Sequence, residues 1–159
     1  MVGGEDGGVK LNVDAAWDKD TGRAAFGGVV RDNRGRLLGF TATSMEKVDS
    51  VLSAECFTIR HGLHFVLERG WRVSEVETDS LRATRLVNGG SLNCVQGPIL
   101  ANIRNLASVV KCRWAPRSCN EAANFVARSR ITGRIPDMWS CVCPDWFVST
   151  ILRDLNPDH

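Results

Sequence analysis

VKLNVDAAW, residues 9–17, sets Val9, Leu11 and Val13 in alternation with Lys10, Asn12 and Asp14. A period of two sends successive side chains to opposite faces of a β-strand. On that pattern Val9 to Trp17 is a strand with an apolar face, and Asp14 faces away from the valines. The runs Ala24 to Arg31 and Arg36 to Thr43 are also β-prone, and Asp32-Asn33-Arg34-Gly35 between them is a turn cluster whose glycine supplies a positive-φ position. Three antiparallel strands in a meander follow.

Downstream the period changes. Asp49-Ser50 can cap a helix, and Leu52, Cys56, Ile59, Leu63, Val66 and Leu67 recur at helical spacing until Gly70 stops the pattern. Val73 to Thr78 reads as a fourth strand. Ser80 to Asn88 forms a short helix ended by Gly89-Gly90, and Pro98 to Ala107 another with proline in its first turn. Val109 to Trp114 is a fifth strand and Asn120 to Ile131 a last helix. A crossover as long as the first helix lays the fourth strand parallel to one already in place. The chain is therefore predicted to be α/β: three antiparallel strands, then two parallel additions, flanked by helices. Glycine-rich MVGGEDGG, residues 1–8, reads as a flexible leader or the scar of a cut from a longer polypeptide. The domain runs over 9–132. Residues 133–159, with Trp139, Trp146 and Phe147, form a tail expected to pack on it.

A chain of 159 residues fits one domain and one core. With 43% hydrophobic and 24% charged residues, and neither a long apolar run nor a charged-then-apolar leader, the composition is that of an intracellular globular protein, nuclear or cytoplasmic, with no membrane segment or secretion expected. The six cysteines are scattered, and only Cys141 and Cys143 are close, so zinc is not expected and reduced thiols are. Twenty basic against eighteen acidic residues leave a formal charge of +2, too small to announce nucleic acid by bulk electrostatics.

Three acids occupy unusual places: Asp14 within a strand, Glu55 within the long helix, Asp79 where the fourth strand ends. Aspartate is depleted in strands because it competes with the ladder and resists burial. At about 100° per residue Glu55 falls beside Val66, at the margin of the apolar stripe. Taken singly, Asp14 on an exposed sheet face, Glu55 as a snorkelling edge residue and Asp79 as a helix cap explain each one without any function.

VKLNVDAAW, the hairpin GGVVRDNRGRLLG, the helix segment SAECFTIRHGL, the strand end VETDS and the segment WAPRSCNEAANFVAR together resemble the ribonuclease H family, and most of all its plant, retroelement-related ribonuclease-H-like domains. The similarity runs from about Val9 to Asp154. It implies an RNA/DNA hybrid as partner, endonucleolytic hydrolysis of the RNA strand, and Mg²⁺ or Mn²⁺ held by Asp14, Glu55 and Asp79, since hard cations prefer carboxylate oxygens. In the mechanism so implied, two ions bridge the scissile phosphate and Asp14 contacts both. Glu55 and Asp79 serve the leaving-group side, with Glu55 near the 2′-hydroxyl, and Asn124 lines the attacking-water side. Asn124 stands where the family has a fourth acid, Ala15 where many relatives have glycine, and Arg117-Ser118-Cys119 replaces a loop that carries a histidine in bacterial members.

The same resemblance implies hybrid contacts near Ala15, Ala16, Asn88 and Arg117. Lys10, Arg31, Arg82, Arg85, Arg104, Lys111 and Arg113 join Arg117 as candidate phosphate contacts. The segment Asn88 to Gly97 has no lysine or arginine, unlike the basic protrusion of some members, so weak hybrid affinity is expected. A monomer is expected, alone or within a larger parent polypeptide and with protein partners open. The departures leave two other readings in place: a weakened or inactive nucleic-acid-binding module, and a protein-interaction domain on the same fold.

Overall fold

The computed structural model describes residues 8–106, 111–134, 139–140 and 149. Strand β1 (Val9–Trp17) is followed by β2 (Ala24–Arg31), β3 (Leu37–Met45), helix α1 (Val51–Glu68), β4 (Val73–Thr78), α2 (Leu81–Gly89), α3 (Gly97–Leu106), β5 (Lys111–Trp114), α4 (Glu121–Ile131) and a two-residue strand β6 (Trp139–Ser140). The leader positions 1–7, residues 109–110 of the expected fifth strand, and most of the tail lie outside the described residues.

The sheet order is β5-β4-β1-β2-β3-β6. Strands β1, β2 and β3 pair antiparallel, and β4 and β5 add in parallel, so the expected mixed five-stranded arrangement is present. The addition is β6, paired antiparallel to the outer edge of β3 through Thr41 and Ala42. Gly35 at φ 80° turns the β2–β3 hairpin, and the Asp32 carboxylate fixes the turn by accepting from the Arg34 and Arg36 amides at 2.9 Å.

Both faces of β1 are buried, which separates it from the half-solvated strand its alternation describes. Val9, Leu11 and Val13 join Ile59, Leu63 and Val66 of α1, Val76 of β4, and Leu100 and Ile103 of α3 in the main core. Each such side chain contributes about 1.5–3 kcal/mol on burial. Leu67, the last member of the expected stripe, is exposed. On the opposite face α4 packs Ala122, Ala123 and Val126 against Val29, Phe40 and Ala42 of β2 and β3.

One glycine on each face lets a helix approach. A Cβ at Gly62 would stand 2.9 Å from the Leu11 and Val13 side chains, and one at Gly27 would stand 2.6 Å from the Ala123 carbonyl and the Ala127 amide. Gly27 is the β2 partner of Asp14. The missing side chain therefore sets the height of α4 above the strand that carries Asp14.

Gly27→Ala is expected to cost about 1–3 kcal/mol, because the clash is with helix backbone and not with a flexible side chain. Urea denaturation checks this; an unchanged midpoint would mean that α4 rises from the sheet freely.

Candidate metal centre

Asp14 occupies the sixth position of β1, Glu55 the fifth of α1, in its second turn, and Asp79 the residue after β4. Parallel pairing of β1 with β4, in the register Asn12↔Glu77, brings the ends of these two strands together. A carboxylate oxygen from each of Asp14, Glu55 and Asp79 lies within 4.8 Å of the others. Asp14 is 2% exposed and Glu55 8%, so neither is the solvated edge residue that a single-residue reading allows. Nor does Asp79 cap α2. The Ser80 hydroxyl takes that role, accepting from the Ala83 amide at 3.2 Å.

The backbone around the acids is pinned. The Thr58 hydroxyl of α1 donates to the Asp14 carbonyl at 3.0 Å, and the Trp114 indole donates to the Asp79 carbonyl at 3.1 Å. The buried Asn120 amide donates to the Val13 carbonyl at 2.8 Å and accepts from Asn12, whose amide also reaches Glu77. These two asparagines tie β1 and β4 to the start of α4. Sequence reasoning passed over both, although Asn12 carries the same signal as Asp14, a polar residue inside a strand.

The side chains are held more loosely. Asp14 accepts from the Ala15 amide at 2.9 Å and from the Asn124 amide at 2.7 Å. Glu55 Oε2 is buried with no hydrogen-bond partner. Burial, opposed by the Asn124 hydrogen bond and reinforced by the nearby Asp79 charge, raises the Asp14 carboxyl to about 6. Burial first, then the charges of Asp14 and Asp79, push Glu55 up to about 9. A buried carboxylate atom without a donor, among two other acids, matches the hard oxygen set that divalent cations such as Mg²⁺ or Mn²⁺ take. The residues fit a metal.

The other expected site residues divide. Arg117, in a single 3-10 turn at 117–119, is exposed and close enough for its charge to favour ionised Asp14. With Asn124, Arg128 and Arg134 it lines a groove of about 650 Å³. The Ala15 amide is taken by Asp14, and Ala16 pairs with Ala25 in the β1–β2 ladder. The Asn88 amide donates to the Cys112 carbonyl at 2.7 Å and fastens α2 to β5.

Among the candidate phosphate contacts, Arg104 donates to the Leu86, Val87 and Gly90 carbonyls and closes the C-terminal end of α2. Lys10 pairs with Glu77 at 2.6 Å and Arg113 with Glu75 at 3.2 Å. Arg82, Arg85 and Lys111 are exposed. No helix among the described residues is long and apolar enough to cross a membrane.

The reverse transcriptase-like family model matches residues 12–130, whereas no curated protein sequence matches the chain. Among solved structures the chain is similar to RNase H1 from the halophilic archaeon Halobacterium salinarum NRC-1, at 20% identity and TM-score 0.69 over 79% of this chain and 98% of that one. The N-terminal RNase H domain of a Mycobacterium tuberculosis protein, solved as a fusion with maltose binding protein, gives 20% and 0.68 over 79% and 94%. LC11-RNase H1, isolated from compost by a metagenomic approach and solved in complex with RNA/DNA hybrid, gives 19% and 0.70 over 80% and 99%. At such identities the likeness establishes the fold. The family match covers most of the chain and takes in all three acids, and on it the chain belongs to the reverse transcriptase-like family of ribonuclease H-like domains.

Proposed function

We propose that this domain binds an RNA/DNA hybrid and hydrolyses the RNA strand, using Mg²⁺ or Mn²⁺ held by Asp14, Glu55 and Asp79. The observation that carries the reading is the buried carboxylate cluster with an orphaned Glu55 oxygen. Buried acids drawn together without a cation lower stability, and a fold keeps such an arrangement where a ligand offsets it. LC11-RNase H1, whose fold this chain shares, was solved with RNA/DNA hybrid.

A divalent cation bound here would polarise the scissile phosphate and lower the pKa of attacking water. The chain's own groups supply position. Asp14, anchored through Thr58 and Asn120, presents its carboxylate at a fixed height above the sheet. Glu55 faces it from α1, and Asp79 closes the third side. Arg117 stands next to this cluster as a phosphate contact. Asn124 orients Asp14 through its amide and brings no charge of its own, so a second cation there would find fewer negative ligands. This last contact also favours a second reading, a weakened or inactive nucleic-acid-binding module, because the Asp14 Oδ2 lone pair already accepts an N–H.

With Mg²⁺ or Mn²⁺ and a labelled hybrid, the protein is expected to cut the RNA strand, and Asp79→Asn to lower kcat at least about a hundredfold. A protein that shifts the hybrid in a gel without cutting it is the binding module. Asn124→Asp is expected to raise activity or lower the metal concentration required, and no gain would mean that the amide is not the limiting departure.

The acids also couple pH to stability. Glu55 is raised from 4.5 to about 9 in the fold, so the folded state holds the proton more tightly than the unfolded one. Its contribution is fully present below about pH 4.5 and is lost as pH rises toward 9. Without metal, Glu55→Gln should therefore raise the melting temperature at pH 8 by roughly 3 °C or more and change it less at pH 5. Mn²⁺ should stabilise the parent at pH 8 and leave Glu55→Gln nearly unchanged. A parent protein whose melting ignores both pH and Mn²⁺ would contradict the cluster's proposed role.

A further inference from the structure

On the face opposite α1, helix α4 packs on β1, β2 and β3. The sheet continues beyond it into β4 and β5. Lys10 of β1, Arg31 at the end of β2, Glu77 of β4, Arg113 and Trp114 of β5, Ser118 and Glu121 line a cleft of about 560 Å³. Strand register explains the grouping, since Lys10 stands opposite Arg31 on one side and Glu75 on the other, Glu75 opposite Lys111, and Glu77 opposite Arg113. Directly paired residues share a face.

The charges on this face do not close among themselves. Glu77 is taken by Lys10 and by the Asn12 amide, and Glu75 by Arg113. Arg31 is left with its Nε buried and no hydrogen-bond partner for that atom. Burial lowers its pKa, with the Glu77 charge acting the other way. On β5 at the other side of the cleft, Trp114 is 50% exposed, with its N–H bonded to the Asp79 carbonyl.

We propose that this cleft binds single-stranded nucleic acid, with a backbone phosphate on Arg31 and a base against the Trp114 indole. A guanidinium offers a planar fork of donors matched to phosphate oxygens. Cations along a groove with an aromatic ring for a base to stack on make up the usual platform for single strands. Arg31 on β2 and Trp114 on β5 lie three strand spacings apart, roughly 14 Å, a span for a stretch of extended strand and not for one nucleotide. An acidic peptide would answer Arg31 and leave the indole without a partner. The hydrogen bond from Trp114 to Asp79 sets the cleft beside the metal centre, within reach of a strand leaving it. The site needs no metal, so it stands or falls apart from catalysis.

The test uses a fluorescein-labelled dT12 oligonucleotide with the whole chain in EDTA at low salt, read by anisotropy. The parent should bind, and Arg31→Gln should weaken binding at least fivefold while melting no lower than the parent, because it removes a desolvated charge whose buried Nε has no hydrogen-bond partner. No binding by the parent, equal binding by Arg31→Gln, or displacement of dT12 by a polyglutamate peptide at equal charge overturns the proposal. A lower melting temperature for Arg31→Gln overturns it too, since the guanidinium would then be holding the fold. A second measurement does not depend on that variant. The indole N–H cross-peak absent from the ¹⁵N spectrum of Trp114→Phe should move in the parent when dT12 is added; a stationary peak is decisive against the site.

Discussion

Three carboxylates brought within 4.8 Å of one another, two of them almost wholly buried, are the demand around which the rest of the domain is arranged. Ionised together they repel, and burial removes the water that would screen them. The fold answers largely by restraining backbone, and of the three carboxylates Asp14 takes donors from Ala15 and Asn124. Thr58 holds the Asp14 carbonyl, Trp114 the Asp79 carbonyl and Ser80 the start of the following helix. Oxygens left over in such a frame are available to a cation, and the orphaned Glu55 atom is the clearest of them.

Distance to the sheet is the second requirement. Glu55 and Asn124 come from helices on opposite faces, and both must meet Asp14 near the strand ends. Gly62 lets α1 down onto Leu11 and Val13, and Gly27, the strand partner of Asp14, lets α4 down onto β2. The 2.7 Å bond from Asn124 to Asp14 depends on that second approach. Small residues at two positions thus convert general α/β packing into a defined constellation.

How far this was readable in the sequence follows from the kind of signal each residue gives. Periodicity marks Val9, Leu11 and Val13 as strand and Cys56, Ile59 and Leu63 as helix, because local geometry alone fixes the spacing. Asp14 could be singled out because a strand rarely tolerates it, and the resemblance joined it to Glu55 and Asp79. Hydrogen bonds between distant residues leave no such trace. Nothing in the spacing shows that Arg104 closes α2, that Asn88 holds β5, or that Ser80 and not Asp79 caps the helix after β4. The outer pairing of β6 with β3 is equally silent, since two residues are too few for a pattern.

The division of the sheet into a sealed and an open part accounts for the two opposite charge problems on one surface. Helices α1 and α4 exclude water from β1, and in that low-dielectric space Glu55 is driven toward its neutral form. Past the edge of α4 the same sheet carries Arg31 with an unanswered donor. An acid cluster repels a phosphodiester unless a cation intervenes, and basic residues alone attract one without cutting it. On the proposed function, the acid cluster would meet a nucleic-acid strand through metal, and the open cleft would meet its charge directly. Trp114, whose indole touches the backbone of one surface while its ring borders the other, is the residue through which a strand held in the open cleft would bear on the position of Asp79.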